Sequence, residues 1–192
     1  MKRFLLIFSI SLLVVACGGG DYTPKPRAYL RIDMPEKNYV EVDSSAFPFS
    51  FEKGSDVELS LKKNTPTEKW IDLNYPSLKG VVYLNYMSIH GVDEMKSLVD
   101  SAYRALSMHY SHCSGIDEQQ YYHPASHVSA TTYHLKGQNV ASSYQFWASD
   151  SLHHFLRGAL YLDYIPNSDS LSPVIDYIRQ DIDHLIETLR WQ

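Results

Sequence analysis

Residues 154–191 read HFLRGALYLDYIPNSDSLSPVIDYIRQDIDHLIETLRW, and a change of period inside this stretch decides the fold class. Leu156, Gly158, Leu160, Leu162 and Tyr164 alternate along one side of a strand that ends at Pro166. Beyond it Val174, Ile175, Ile178, Ile182, Leu185, Ile186 and Leu189 recur at three- and four-residue steps as far as Trp191. That spacing predicts a helix with one apolar face, and Asp176, Arg179, Gln180, Asp183, Glu187 and Arg190 fall on its wet side. Ser172 suits the N-cap, with Pro173 at the first helical position, where a missing N–H costs nothing.

Upstream, the period of two dominates. Tyr29–Asp33, Tyr39–Val42, Phe47–Phe51, Val57–Leu61 and Trp70–Tyr75 read as short half-buried strands. Gly80–Ile89 is apolar on both sides, the pattern of a strand covered on both faces. Val92–Cys113 switches to helical spacing (Val92, Met95, Leu98, Ala102, Leu106, His109), with Asp93 and Glu94 complementing the helix dipole and Gly115 stopping it. Strands resume at Ile116–Tyr122, Val128–Leu135 and Val140–Ala148, the last two joined across Gly137–Asn139 by what reads as a tight hairpin turn. The expected fold is α+β, a mainly antiparallel sheet with two packed helices, similar in element order to the Mog1/PsbP-like sandwich.

The first residues set the address. Lys2 and Arg3 precede an apolar run, Phe4–Ala16, too short to span a bilayer. It ends in Val14-Val15-Ala16-Cys17, a spacing that resembles the lipobox of bacterial lipoproteins. We therefore expect a signal peptide at 1–16, a lipidated N-terminus and tether at 17–28 and one α+β domain at 29–192, with Cys17 carrying palmitate-type acyl chains. Removal of Lys2 and Arg3 leaves 15 basic against 22 acidic residues, a charge of −7. That balance argues against nucleic acid as a partner. With Cys17 acylated, Cys113 is the remaining thiol and no internal disulfide is available.

Two longer passages carry a resemblance. Tyr22-Thr23-Pro24-Lys25-Pro26-Arg27-Ala28-Tyr29-Leu30-Arg31-Ile32-Asp33-Met34-Pro35-Glu36 follows the lipobox, and His154-Phe155-Leu156-Arg157-Gly158-Ala159-Leu160-Tyr161 with Asp169–Asp176 lies near the end. With Ser142-Ser143-Tyr144-Gln145-Phe146 between them, these resemble the gliding-motility lipoprotein GldD family of Bacteroidetes. The resemblance implies a component without an assigned active site, partnered by gliding and type IX secretion envelope proteins, with no cofactor and no catalytic residue to carry over. We expect it on the periplasmic face of the outer membrane in preference to the inner, since Asp21 stands alone and no acidic export run follows Cys17.

The residues themselves leave two other classes open. Fifteen tyrosines and three tryptophans fit a cell-wall glycan or small-ligand binder. His109, His112, Cys113, His123 and His127 have ligand-like spacing for a metal-dependent hydrolase, although they match no standard finger pattern. No Gly-x-Ser-x-Gly elbow is present. The candidate interaction residues are Tyr22, Lys25, Arg27, Tyr29 and Arg31 in the tether region, and Arg157. Arg157 points away from the helix-packing face, between Phe155 and Ala159, where an ion pair with Asp33 or Asp163 is expected to hold its charge.

Overall fold

The apolar stripe of the last helix finds its partner on one face of a seven-stranded sheet. The computed structural model describes residues 33–42, 44–137, 140–163 and 168–192. Its strands are β1 (Tyr39–Glu41), β2 (Phe49–Ser50), β3 (Glu52–Gly54), β4 (Glu58–Asn64), β5 (Glu68–Tyr75), β6 (Gly80–Ser88), β7 (Gly115–His123), β8 (Val128–Lys136), β9 (Tyr144–Ser149), β10 (His154–Leu162) and β11 (Arg190–Trp191). Helix α1 spans Val92–Ser107 and α2 spans Ser168–Thr188. The sheet runs β4-β5-β6-β10-β9-β8-β7, antiparallel throughout, and β1–β3 and β2–β11 form two small pairs. The fold is α+β, with a helix on each face.

Cross-strand register builds the main core face by bringing Leu73 opposite Val82, Val82 opposite Leu160, Leu156 opposite Ala148 and Ala148 opposite Ala130. Val174, Ile178, Ile182, Leu185 and Ile186 of α2, with Leu189 just past its end, close over them, each fully buried. Each such side chain contributes about 1.5–3 kcal/mol of burial. Phe47, Phe49 and Phe51 cover the rest of this face, with Phe49 centred 5.3 Å from Tyr86 and 6.2 Å from Trp191.

The elements depart from the sequence reading where side chains pull them. Helix α2 begins at Ser168, placing Pro173 inside it, because Leu171 reaches the core and rewards the extra turn. It stops at Thr188, and Arg190–Trp191 pairs with Phe49–Ser50 as Trp191 stacks flat on His154 at 5.1 Å. Helix α1 stops at Ser107, and Tyr110–His112 forms a 3₁₀ turn. Gly137 packs against that turn: a Cβ there would stand 2.3 Å from the His112 carbonyl oxygen. The β8–β9 connection is therefore longer than a hairpin turn, running from Gly137 to Ser143, and it lays Val140 against Leu106 and Leu135. The strand expected at Tyr29–Asp33 lies outside the described residues except for Asp33, which is not in a strand.

One buried charge ties the first described segment to α2. The Asp181 side chain, 3% exposed, pairs with Lys37 and accepts the Tyr39 hydroxyl at 3.0 Å. Lys37 also donates to the Tyr177 carbonyl at 2.8 Å and sits 3.8 Å above the Tyr177 ring. Burial, and next the Asp181 charge, raise the Tyr39 and Tyr177 hydroxyls, the latter to about 12. Tyr39 stacks on His184 at 3.7 Å, and His184 Nε2 meets Glu52 Oε2 at 2.7 Å. Lys37→Met strands the Asp181 carboxylate and is expected to cost about 3 kcal/mol in denaturant unfolding. Adding Asp181→Leu to it should recover most of that loss; no recovery would show that the lysine's contacts to Tyr177 dominate.

Three imidazoles share one electrostatic sign. Burial is the leading cause that depresses His109, His134 and His154 below the ordinary 6.5. His154 Nδ1 additionally meets the Tyr86 hydroxyl at 2.9 Å. Since the folded pKa values lie below the unfolded ones, the unfolded chain binds more protons in that interval. Their contribution is complete above about pH 6.5 and is lost as pH falls through the folded values. The melting temperature should be level from pH 8 to 7 and decline below 6.5, with His154→Gln reducing the decline; a level profile down to pH 5 would refute this.

Candidate functional site

Strand β5 alternates cleanly: Ile71, Leu73 and Tyr75 are buried, while Trp70, Asp72 and Asn74 face the other way. Strand β6 does the same, with Val82, Leu84 and Tyr86 buried and Tyr83 and Asn85 opposite. This corrects the expectation that Gly80–Ile89 is covered on both sides. Helix α1 reaches the second face over β9 and β10, burying Ala102 and Leu106, and leaves the β4-β5-β6 part open. Trp70 is 45% exposed and Tyr83 42%.

Here the pairing register assembles a groove of about 460 Å³. One cross-strand row is Trp70–Asn85–Arg157 and the next is Asp72–Tyr83–Ala159. Tyr161 stands beside Tyr83, ring centres 5.5 Å apart. Lys62 reaches in from a bulge where the β4–β5 register slips between Leu61 and Lys63, and it faces Asp72 at 3.6 Å. Trp70 is held in position: its indole N–H donates to Glu68 Oε1 at 2.6 Å, and Lys63 sits 4.8 Å over its ring while pairing with Glu68. Hydrogen bonds from Lys63 and Trp70 pull the Glu68 carboxyl below the usual range.

Arg157 lies in this groove, the one predicted interaction residue among those described. Its partner is not a carboxylate. The guanidinium donates to Gln145 Oε1 at 3.1 Å, and Gln145 is itself buried. Asp163 lies exposed past the end of β10, its backbone N–H on the Lys79 carbonyl, six residues from Arg157, which explains why the expected pair does not form. Among the described residues the guanidinium has no ion pair. Arg157 also sits close enough to His109 for its charge to add, after burial and His112, to the depression of that imidazole. Cys17, Tyr22, Lys25, Arg27, Tyr29 and Arg31 lie outside the described residues.

The histidine set is pulled apart. His109, His112 and Cys113 precede β7, His123 is its last residue and His127 follows it, so that roughly 27 Å of extended strand separates the two groups. Among the described residues no three of His, Cys, Asp and Glu converge as metal ligands. Cys113 packs with Leu106, Leu135 and Ile116, and burial raises its thiol, which makes it a poor nucleophile.

Comparison with known proteins decides the family. A family model described as gliding motility lipoprotein GldD matches residues 19–191. The chain belongs to the gliding motility lipoprotein GldD family. As a member, it is a lipoprotein of gliding motility, anchored to membrane through lipid. No curated protein matches it. Among solved structures it is similar to the solution structure of cyanobacterial PsbP (CyanoP) from Synechocystis sp. PCC 6803, at 10% identity and a TM-score of 0.49, covering 90% of this chain and 98% of that one.

The groove residues other than Arg157 escaped the sequence reading, yet a signal was there: Trp70 occupies the wet register of an alternating strand, between Lys69 and Ile71. The groove floor has its own requirement. Gly158 sits directly opposite Phe146, and a Cβ there would lie 2.0 Å from the Phe146 ring. Gly158→Ala should destabilise by about 1–3 kcal/mol through overpacking, read as a lowered melting temperature. Phe146→Leu in the same chain should relieve it, and an unshifted melting temperature for Gly158→Ala alone would contradict this packing.

Proposed function

We propose that this lipoprotein is a non-catalytic component of the gliding and type IX secretion apparatus, tethered through acylated Cys17 to the periplasmic side of the outer membrane, and that it works by binding other envelope proteins. Family membership supports the gliding assignment. The observation that carries the protein-contact reading is the asymmetry between the two edges of the sheet.

Edge strands expose backbone donors and acceptors, and proteins commonly blunt them with bulges and lysines. Strand β4 is blunted both ways, by its register slip and by Lys62 and Lys63. Strand β7 is not. Its nine residues pair with β8 from Gly115–Lys136 to His123–Val128 without a slip, and Gly115–His123 contains neither proline nor lysine. Asp117, Glu118, Gln119, Gln120 and Tyr122 are exposed along it. A row of free backbone groups recognises another polypeptide by strand addition, and it offers nothing comparable to a sugar or a nucleotide.

A photo-crosslinking residue at Gln120, introduced in the native host, is expected to capture gliding and secretion subunits, whereas one at Glu58 on β4 captures none. Cys17→Ala should abolish the Gln120 adducts by removing the protein from its membrane. Equal capture from both edges, or none from β7, would defeat the reading.

A further inference from the structure

The groove over β5, β6 and β10 has a chemistry different from that of the β7 edge. Three features converge in it. The first is a cation without a counter-ion among the described residues: Arg157 has five N–H donors, and Gln145 accepts from one of them. Lys62 and Arg157 against Asp72 leave the groove one net positive charge in a chain whose net charge is −5. The second is a pair of exposed aromatic surfaces, Trp70 and Tyr83, with the Trp70 plane fixed by Glu68 and Lys63. The third is a set of short hydrogen-bonding groups, Asp72 and Asn85, at the same level as the rings in adjacent positions of the two cross-strand rows.

These features fit one ligand class. A pyranose presents a flat C–H face, a belt of hydroxyls and, in acidic sugars, a carboxylate at the rim. Rings take the face, Asp72 and Asn85 take hydroxyls, and a guanidinium fork takes a carboxylate in plane. A peptide anchor would need a deep apolar pocket, whereas Lys62, Asp72, Asn85 and Arg157 line this groove beside its rings. A phosphate dianion would meet the Asp72 carboxylate in the same space. The volume of about 460 Å³ is within the range of small-ligand sites. We propose that this groove is a binding site for a carboxylate-bearing sugar unit, seated on Trp70 and Tyr83 and anchored by Arg157.

The test uses the full-length lipidated protein in lipid nanodiscs, titrated by calorimetry and tryptophan emission with the disaccharide N-acetylglucosaminyl-N-acetylmuramic acid and with neutral chitobiose. The acidic disaccharide should bind saturably and chitobiose about tenfold more weakly. Arg157→Gln should bring the two to the same affinity. Arg157→Lys, which keeps the charge and loses the fork, should retain the preference at reduced strength. Trp70→Phe should weaken both in calorimetry, and Tyr122→Ala, remote on β7, should change neither. Equal affinity for the two sugars in the unaltered protein, no saturable binding, or Arg157-dependent binding of tetraglutamate or inorganic phosphate as tight as that of the acidic disaccharide would overturn the proposal.

Discussion

A sheet of seven strands has two faces to cover, and this chain provides unequal cover for them. At about 4.8 Å per strand the sheet is roughly 29 Å wide, whereas one helix with its side chains covers about 10–12 Å. On the main core face α2 is joined by Phe47, Phe49, Phe51 and Trp191, so that face is buried from β5 across to β8. On the other face α1 works alone, and its buried residues Ala102 and Leu106 lie over β9 and β10. The remainder of that face has to live with water. Its residues accordingly read Trp70, Asp72, Tyr83, Asn85 and Arg157: side chains able to expose one edge and pack the other.

The cover on this face depends in turn on the N-terminal part of the described chain being held down, and Asp181 does this. A carboxylate on the core side of α2 is costly unless it is paired, so Lys37 and Tyr39 are drawn onto the helix, and β1 with its partner β3 follows. From there the chain is positioned to lay its three phenylalanines across β6.

Much of this was legible because it rests on local periodicity. The stripe of α2, the alternation of β10 and the outward direction of Arg157 follow from periods of 3.6 and 2, whereas β6, apolar along both sides, concealed that one of its faces is open. What stayed hidden depends on contacts between distant segments. Asp181 falls among polar residues of α2, and its burial follows from Lys37, 144 residues away. The pairing of Arg190–Trp191 with Phe49–Ser50 is too short to leave a pattern. The β8–β9 connection was misread because Gly137-Gln138-Asn139 has turn composition, while the crowding of Gly137 against the His112 carbonyl becomes visible only once the chain has folded. Arg157 was assigned a carboxylate on grounds of charge, yet its position at the border between the covered and open halves lets the guanidinium stay partly hydrated with Gln145 as its fixed contact.

The two exposed features of the sheet do not compete. Strand β7 is three strands removed from β10, roughly 14 Å across the sheet, and α1 occupies the second face between the open groove and that edge. A polypeptide strand added at β7 would extend the sheet away from Trp70 and Tyr83 and leave them accessible. Occupation of the groove would in turn leave the β7 backbone free. Since the chemistries differ, backbone hydrogen bonding at one place and ring stacking with an arginine fork at the other, occupation of one proposed site leaves the other available. The rigid antiparallel register between β10 and β8 then fixes the spacing of the two.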